Sequence, residues 1–113
     1  MRTDQESNNE YPKLVRDNIP EFIQSRGLTA KTRTLDDKEF WQYLLRKMVE
    51  ESTELSRSVD DSDMQEELAD ILELITSIIK FKGWNLEDIQ AVQTGKREKN
   101  GGFEKRILLL EKP

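Results

Sequence analysis

The chain has 113 residues, enough for one small domain with a modest core. It contains no cysteine and no histidine, which removes disulfides, thiolate nucleophiles and imidazole bases, and leaves only oxygen to ligate a metal. With a net charge of −5 and 36% charged residues it lacks the net basic footprint of non-specific nucleic-acid or anionic-membrane binders; without an apolar run of 18 residues or a signal-like start, a cytoplasmic protein is expected.

Residues 1–10 are polar and lack branched aliphatic side chains, so they are expected to be a disordered lead-in, with 11–113 as the single domain. YPKLVRD follows as an extended or turn segment. Asn18 as N-cap, Pro20 in the first turn and Gly27 as stop predict a short helix carrying Ile19, Phe22 and Ile23. TAKTRTL has no helical period and reads as an extended connector or a short strand. Asp36 with Glu39 resembles a capping box and predicts a long helix from about Asp37 to Ser58, with Phe40, Leu44, Leu45, Met48, Val49 and Leu55 as its apolar stripe.

VDDSD then predicts a turn, and Ser62 or Asp63 is expected to cap a helix through Met64 that ends at Gly83. Two long helices joined by so short a turn must be antiparallel neighbours. Asn85 is placed as the cap of a further helix that stops at Asn100-Gly101-Gly102. The final ILLL is β-prone and is a candidate for a short β pairing with the early KLV. Phe40 and Trp41 read as core or interface, Trp84 as either that or a stacking platform; no base-recognition residue is assigned.

The acids carry the chemistry. At about 100° per residue, Leu68, Ile71, Leu72, Ile75, Ile78 and Ile79 share one broad face of the Met64 helix, with Leu74 and Phe81 on its flank and Glu66 and Glu73 opposite. Glu67 projects inside that apolar arc and Asp70 on its rim. A free carboxylate does not belong there. The preceding helix carries Glu51 and Glu54 at the same i,i+3 spacing, so the two pairs can face each other across the helix interface. Four converging carboxylates are tolerable only with cations among them, and hard divalent ions such as Mg²⁺ take oxygen ligands while leaving positions for water and phosphate.

Glu51-x-x-Glu54 followed by Glu67-x-x-Asp70, with Glu50 and Lys47 beside them, resembles the metal-binding signature of the all-α NTP pyrophosphohydrolase superfamily, the MazG-like and phosphoribosyl-ATP pyrophosphohydrolase-like proteins. KLVRDNIPEFI and KREKNGGFEKRILL resemble the flanking motifs of a small single-domain subgroup, so the likeness spans about residues 11–111. The resemblance implies an all-α fold in which two long antiparallel helices pair and a homodimer or homotetramer completes a four-helix bundle. It implies Mg²⁺, with Mn²⁺ as substitute, held by Glu51, Glu54, Glu67 and Asp70. Cleavage would fall between the α and β phosphates of a nucleoside triphosphate, giving a monophosphate and pyrophosphate, with Glu50 or Glu54 accepting the proton of the attacking water.

A triphosphate also needs cations from the protein, and Lys13, Arg16, Lys47, Lys96 and Arg97 are the candidates, those in the flanking motifs foremost. Gly101-Gly102 reads either as a phosphate-approaching backbone or as a plain helix stop. House-cleaning of non-canonical or surplus nucleotides is the expected role. Three alternatives stand beside it: phosphoribosyl-ATP hydrolysis, a catalytically silent nucleotide- or protein-binding member, and a structural helical module whose acids are solvated.

Overall fold

The computed structural model describes residues 11–113, so the expected lead-in lies outside the described residues. They form four helices, α1 Ile19–Ser25, α2 Asp37–Ser56, α3 Asp61–Lys82 and α4 Leu86–Asn100, and contain no strand. The all-α expectation holds. The chain divides into two compact units, one running to Ile78 and one from Ile79 to Pro113.

In the first unit, Pro20 lies in the opening turn of α1, while Asn18 sits at the cap position without a side-chain cap hydrogen bond. Gly27 and Leu28 close the helix by donating backbone N–H bonds to Gln24 and Ile23 at 3.0 and 3.3 Å. TAKTRTL has no regular structure, which settles the choice between connector and strand. Its Arg33 guanidinium instead grips the Glu39 carboxylate with two hydrogen bonds of 3.0 and 2.6 Å.

That grip explains why only half of the capping box forms. The Asp36 carboxylate accepts the Glu39 N–H at 2.9 Å, but Glu39 turns to Arg33. At the start of α3 the cap is Asp60, whose Oδ1 accepts the Asp63 N–H at 2.9 Å, and not Ser62 or Asp63 as the sequence suggests. The helix therefore begins at Asp61, three residues before Met64, since the aspartate that reaches a backbone donor three residues on sets the boundary. It ends in a Schellman closure at Gly83, whose φ of 72° admits glycine readily, with Trp84 donating to Ile79 at 3.0 Å.

The apolar stripes are not buried uniformly. Leu44 and Leu74 are buried, whereas Leu45 and Val49 on α2 and Leu68 and Leu72 on α3 are exposed, Leu72 to 64%. Glu67 is buried instead, only 4% exposed and seven residues from Leu74 on the same face.

The second unit contains the end of α3, α4 and the C-terminal segment. Ile79 is buried, and every residue of α4 is exposed. The proposed β pairing of KLV with ILLL is not formed: Arg106 takes a positive φ of 56°, which turns the chain just before Ile107, and Ile107–Leu110 stay about four-fifths exposed. No helix of the described residues is long and apolar enough to cross a membrane.

Both caps are testable. Asp36→Ala and Asp60→Ala should each cost about 1 kcal/mol in urea denaturation, whereas Ser62→Ala should cost little. The Arg33 contact also gives a pH signature, because its hydrogen bond holds the Glu39 carboxyl below its ordinary range. A lowered folded-state pKa contributes stability above the unfolded pKa and loses it as pH falls through the folded one. Glu39→Gln should therefore lower the thermal midpoint at pH 7 and leave it unchanged once acid has protonated Glu39.

Candidate metal centre

Helical spacing builds the centre from two elements. On α2, Lys47, Glu50, Glu51 and Glu54 lie at i, i+3, i+4 and i+7, one side of the helix. On α3, Glu67 and Asp70 share a turn. The connection over residues 57–60 brings the helices together with Glu51 and Glu67 at similar distances from it.

Two groups of acids result. Glu50, Glu51 and Glu54 form one and Glu51, Glu67 and Asp70 the other, with ligand oxygens of each group within 4.8 Å of one another. Glu51 belongs to both. It is 1% exposed, Glu67 is 4% exposed, Glu50 is at the edge of burial, and Glu54 and Asp70 are half-buried. Ionised carboxylates this dry each cost several kcal/mol unless cations or hydrogen bonds offset them.

Among the described residues, Lys47 and Arg16 face the acids. The Lys47 ammonium donates to Glu50 Oε1 at 3.1 Å and lies 3.5 Å from Glu51 Oε1. The Arg16 guanidinium donates to Asp70 Oδ1 at 2.7 Å and lies 3.9 Å from Glu73 Oε1. The hydrogen bond to Asp70 raises the Arg16 pKa above its ordinary value. Buried Oε2 atoms of Glu51, Glu54 and Glu67 accept no hydrogen bond, although each of these residues makes other interactions.

This donor set fits a hard divalent cation: carboxylate oxygens only, in two triads with a shared member. Glu50, Glu51 and Glu54 of α2 would hold it in one triad, and Glu51 with Glu67 and Asp70 of α3 in the other.

The remaining sequence candidates divide between the two units. Lys13 stacks its ammonium over the Tyr11 ring at 4.9 Å, in the same unit as the acids. Lys96 and Arg97 lie on α4 in the second unit, where Arg97 is engaged in an ion pair with Glu104. Gly101 acts as a helix stop and spends its N–H on the Arg97 carbonyl at 2.8 Å. The Arg16–Asp70 pair, 54 residues apart, had no local signal in the sequence beyond the opposite signs of the two side chains.

No family model and no solved structure matches the chain. Among curated proteins it is similar to an uncharacterised protein of Mycolicibacterium smegmatis (strain ATCC 700084 / mc(2)155), 49% identical over 51 residues. That match covers 45% of this chain and 51% of the relative, so it spans about half the length of each.

Arg16 donates to an oxygen of Asp70, a member of the second acid group, and would compete there with a divalent ion. Arg16→Gln should therefore tighten Mg²⁺ binding several-fold in the absence of nucleotide, read as the Mg²⁺ concentration that half-saturates the rise in thermal midpoint.

Proposed function

We propose that the protein is a Mg²⁺-dependent nucleoside triphosphate pyrophosphohydrolase that cleaves between the α and β phosphates and clears non-canonical or surplus nucleotides. The observation that carries this reading is the burial of Glu51 and Glu67 with their oxygens and that of Asp70 within 4.8 Å of one another. A solvated acidic face has no such burial. The likeness of Glu51-x-x-Glu54 and Glu67-x-x-Asp70 to the superfamily signature supports it further.

Bound Mg²⁺ would supply Lewis acidity and neutralise phosphate charge, chemistry that requires no histidine. The chain does the rest. Glu50 lies beside the Glu51 ligand position with Lys47 fixing its orientation, which suits it to accept the proton of the attacking water, with Glu54 as the alternative. Lys47, Lys13 and Arg16 belong to the acids' own unit and would receive phosphate oxygens. Exchange of Arg16 from Asp70 to phosphate would couple substrate arrival to completion of the metal site.

The exposed Leu45, Val49, Leu68 and Leu72 support assembly into a homodimer or homotetramer with a four-helix core. A second reading, a structural module, draws on the Lys47 and Arg16 ion pairs, which already offset part of the acid charge. It requires that Mg²⁺ leave stability unchanged.

Pyrophosphate release from canonical, deoxy and modified nucleoside triphosphates should depend on Mg²⁺ and fall to background in Glu67→Ala and Asp70→Ala. Both variants should keep their helical circular dichroism. Full turnover in either variant sinks the site assignment.

A further inference from the structure

The acids use only the C-terminal half of α2. Tyr43 lies four residues before Lys47 and seven before Glu50, so an aromatic ring, a cation and the acids follow one another along one face of the helix. The axial rise from Tyr43 to Glu51 is about 12 Å. This is the order in which a nucleotide presents base, phosphates and bound cation.

A cavity runs along that face. It has a volume of about 340 Å³ and is lined by Tyr11, Lys13, Tyr43, Arg46, Lys47 and Glu50 among others. That volume is within the range of small-molecule sites. Glu50, a member of the first acid group, lines it together with two tyrosines from separate parts of the chain. Each tyrosine carries a cation over its ring, Lys13 over Tyr11 and Arg46 over Tyr43, both at 4.9 Å. Such contacts occur about once per 70–80 residues, so two in one cleft mark it as a concentrated aromatic and cationic surface. A second cavity, of about 820 Å³ between the KLVRD segment, α1 and the connector, shares Tyr11, Lys13 and Tyr43 but not Glu50 or Lys47. The smaller one is therefore the cleft that reaches the acids.

We propose that this cleft is the base-and-sugar subsite, with Tyr43 and Tyr11 presenting the aromatic surface on which a nucleobase stacks and Lys13 and Lys47 directing its phosphates toward the acids. The inference rests on the reading of the acids as a nucleotide hydrolase centre and names what that reading lacks, the residues that meet the base. Arg46 holds the Tyr43 ring as a polarised pair, and a base completes a stack that the tyrosine alone offers only one face of. Stacking tolerates any base, so the two tyrosines give affinity for nucleosides as a class rather than choice among them.

The test is equilibrium binding of α,β-methylene analogues of the adenosine, guanosine, cytidine, uridine and thymidine triphosphates, with inorganic triphosphate as the baseless control, in Mg²⁺. Tyr43→Ala and Tyr11→Ala should each weaken the nucleotides about tenfold or more while leaving inorganic triphosphate unchanged, and Tyr43→Phe should bind like the parent. Tyr11 is 58% exposed, so its variant keeps the test valid if Tyr43→Ala fails to fold. Unchanged nucleotide affinity in the variants, an equal loss for inorganic triphosphate, or no base-dependent binding by the parent would each overturn the subsite. Pyrophosphate release separates the two readings. Parent turnover with KM unaltered in both alanine variants would remove the subsite and keep the hydrolase. Base-dependent binding in the cleft without turnover of any hydrolysable triphosphate would remove the hydrolase and keep the subsite.

Discussion

Glu51 is the residue on which the rest of the structure turns. Its carboxylate is 1% exposed where α2 meets α3, and both acid groups share it. Burial of an ionised group at a helix junction is unfavourable by several kcal/mol unless positive charge comes with it, and Lys47, one turn earlier, brings part of that charge. The same helix thus carries the problem and a partial answer within five residues. In the second of those groups, Arg16 reaches from the KLVRD segment to Asp70 and adds a further positive charge.

Space given to carboxylates is space withheld from leucines. Among the described residues of the first unit, Leu44 and Leu74 are the buried apolar side chains, while Leu45, Val49, Leu68 and Leu72 lie in the open. A helix pair that buries carboxylates and leaves four of its aliphatic side chains in the open departs from the usual arrangement of an isolated hairpin. Such a hairpin gains little from folding alone and much from a partner that covers its flank, which is the physical ground for placing oligomerisation beside catalysis in the proposed function.

The fold and the acid cluster were legible in the sequence to different depths. Helix existence followed from apolar periodicity and from Asp36, whose side chain caps the helix expected of it. Glu67 was legible as an anomaly, because a carboxylate among Ile71, Leu74 and Ile78 on a helical wheel must be either misplaced or used, and it is buried. The start of α3 was not. VDDSD contains three aspartates within four residues, any of which can cap, and only backbone geometry selects Asp60. The apolar arc of α3 was drawn too evenly, since a wheel shows which residues share a face but not where neighbours stop covering it; Leu68 and Leu72 fall beyond that edge. The β propensity of ILLL found no partner strand among the described residues, and strand formation depends on such a neighbour more than on composition.

The Gly101-Gly102 dyad shows how two identical letters can encode different constraints. Gly101 adopts φ 82° and ψ 179°, a region essentially closed to any residue with a Cβ, so its requirement is one of backbone dihedral. Gly102 needs room instead: a Cβ there would run into the Arg97 guanidinium and the Glu104 carboxylate where they pair. Those two atoms are the ends of flexible side chains, so alanine at 102 would sacrifice the ion pair and spare the backbone, whereas alanine at 101 would redirect the whole C-terminal segment. The two positions therefore differ in evolutionary tolerance, the first admitting no alternative and the second admitting one whenever Arg97 and Glu104 are free to change with it.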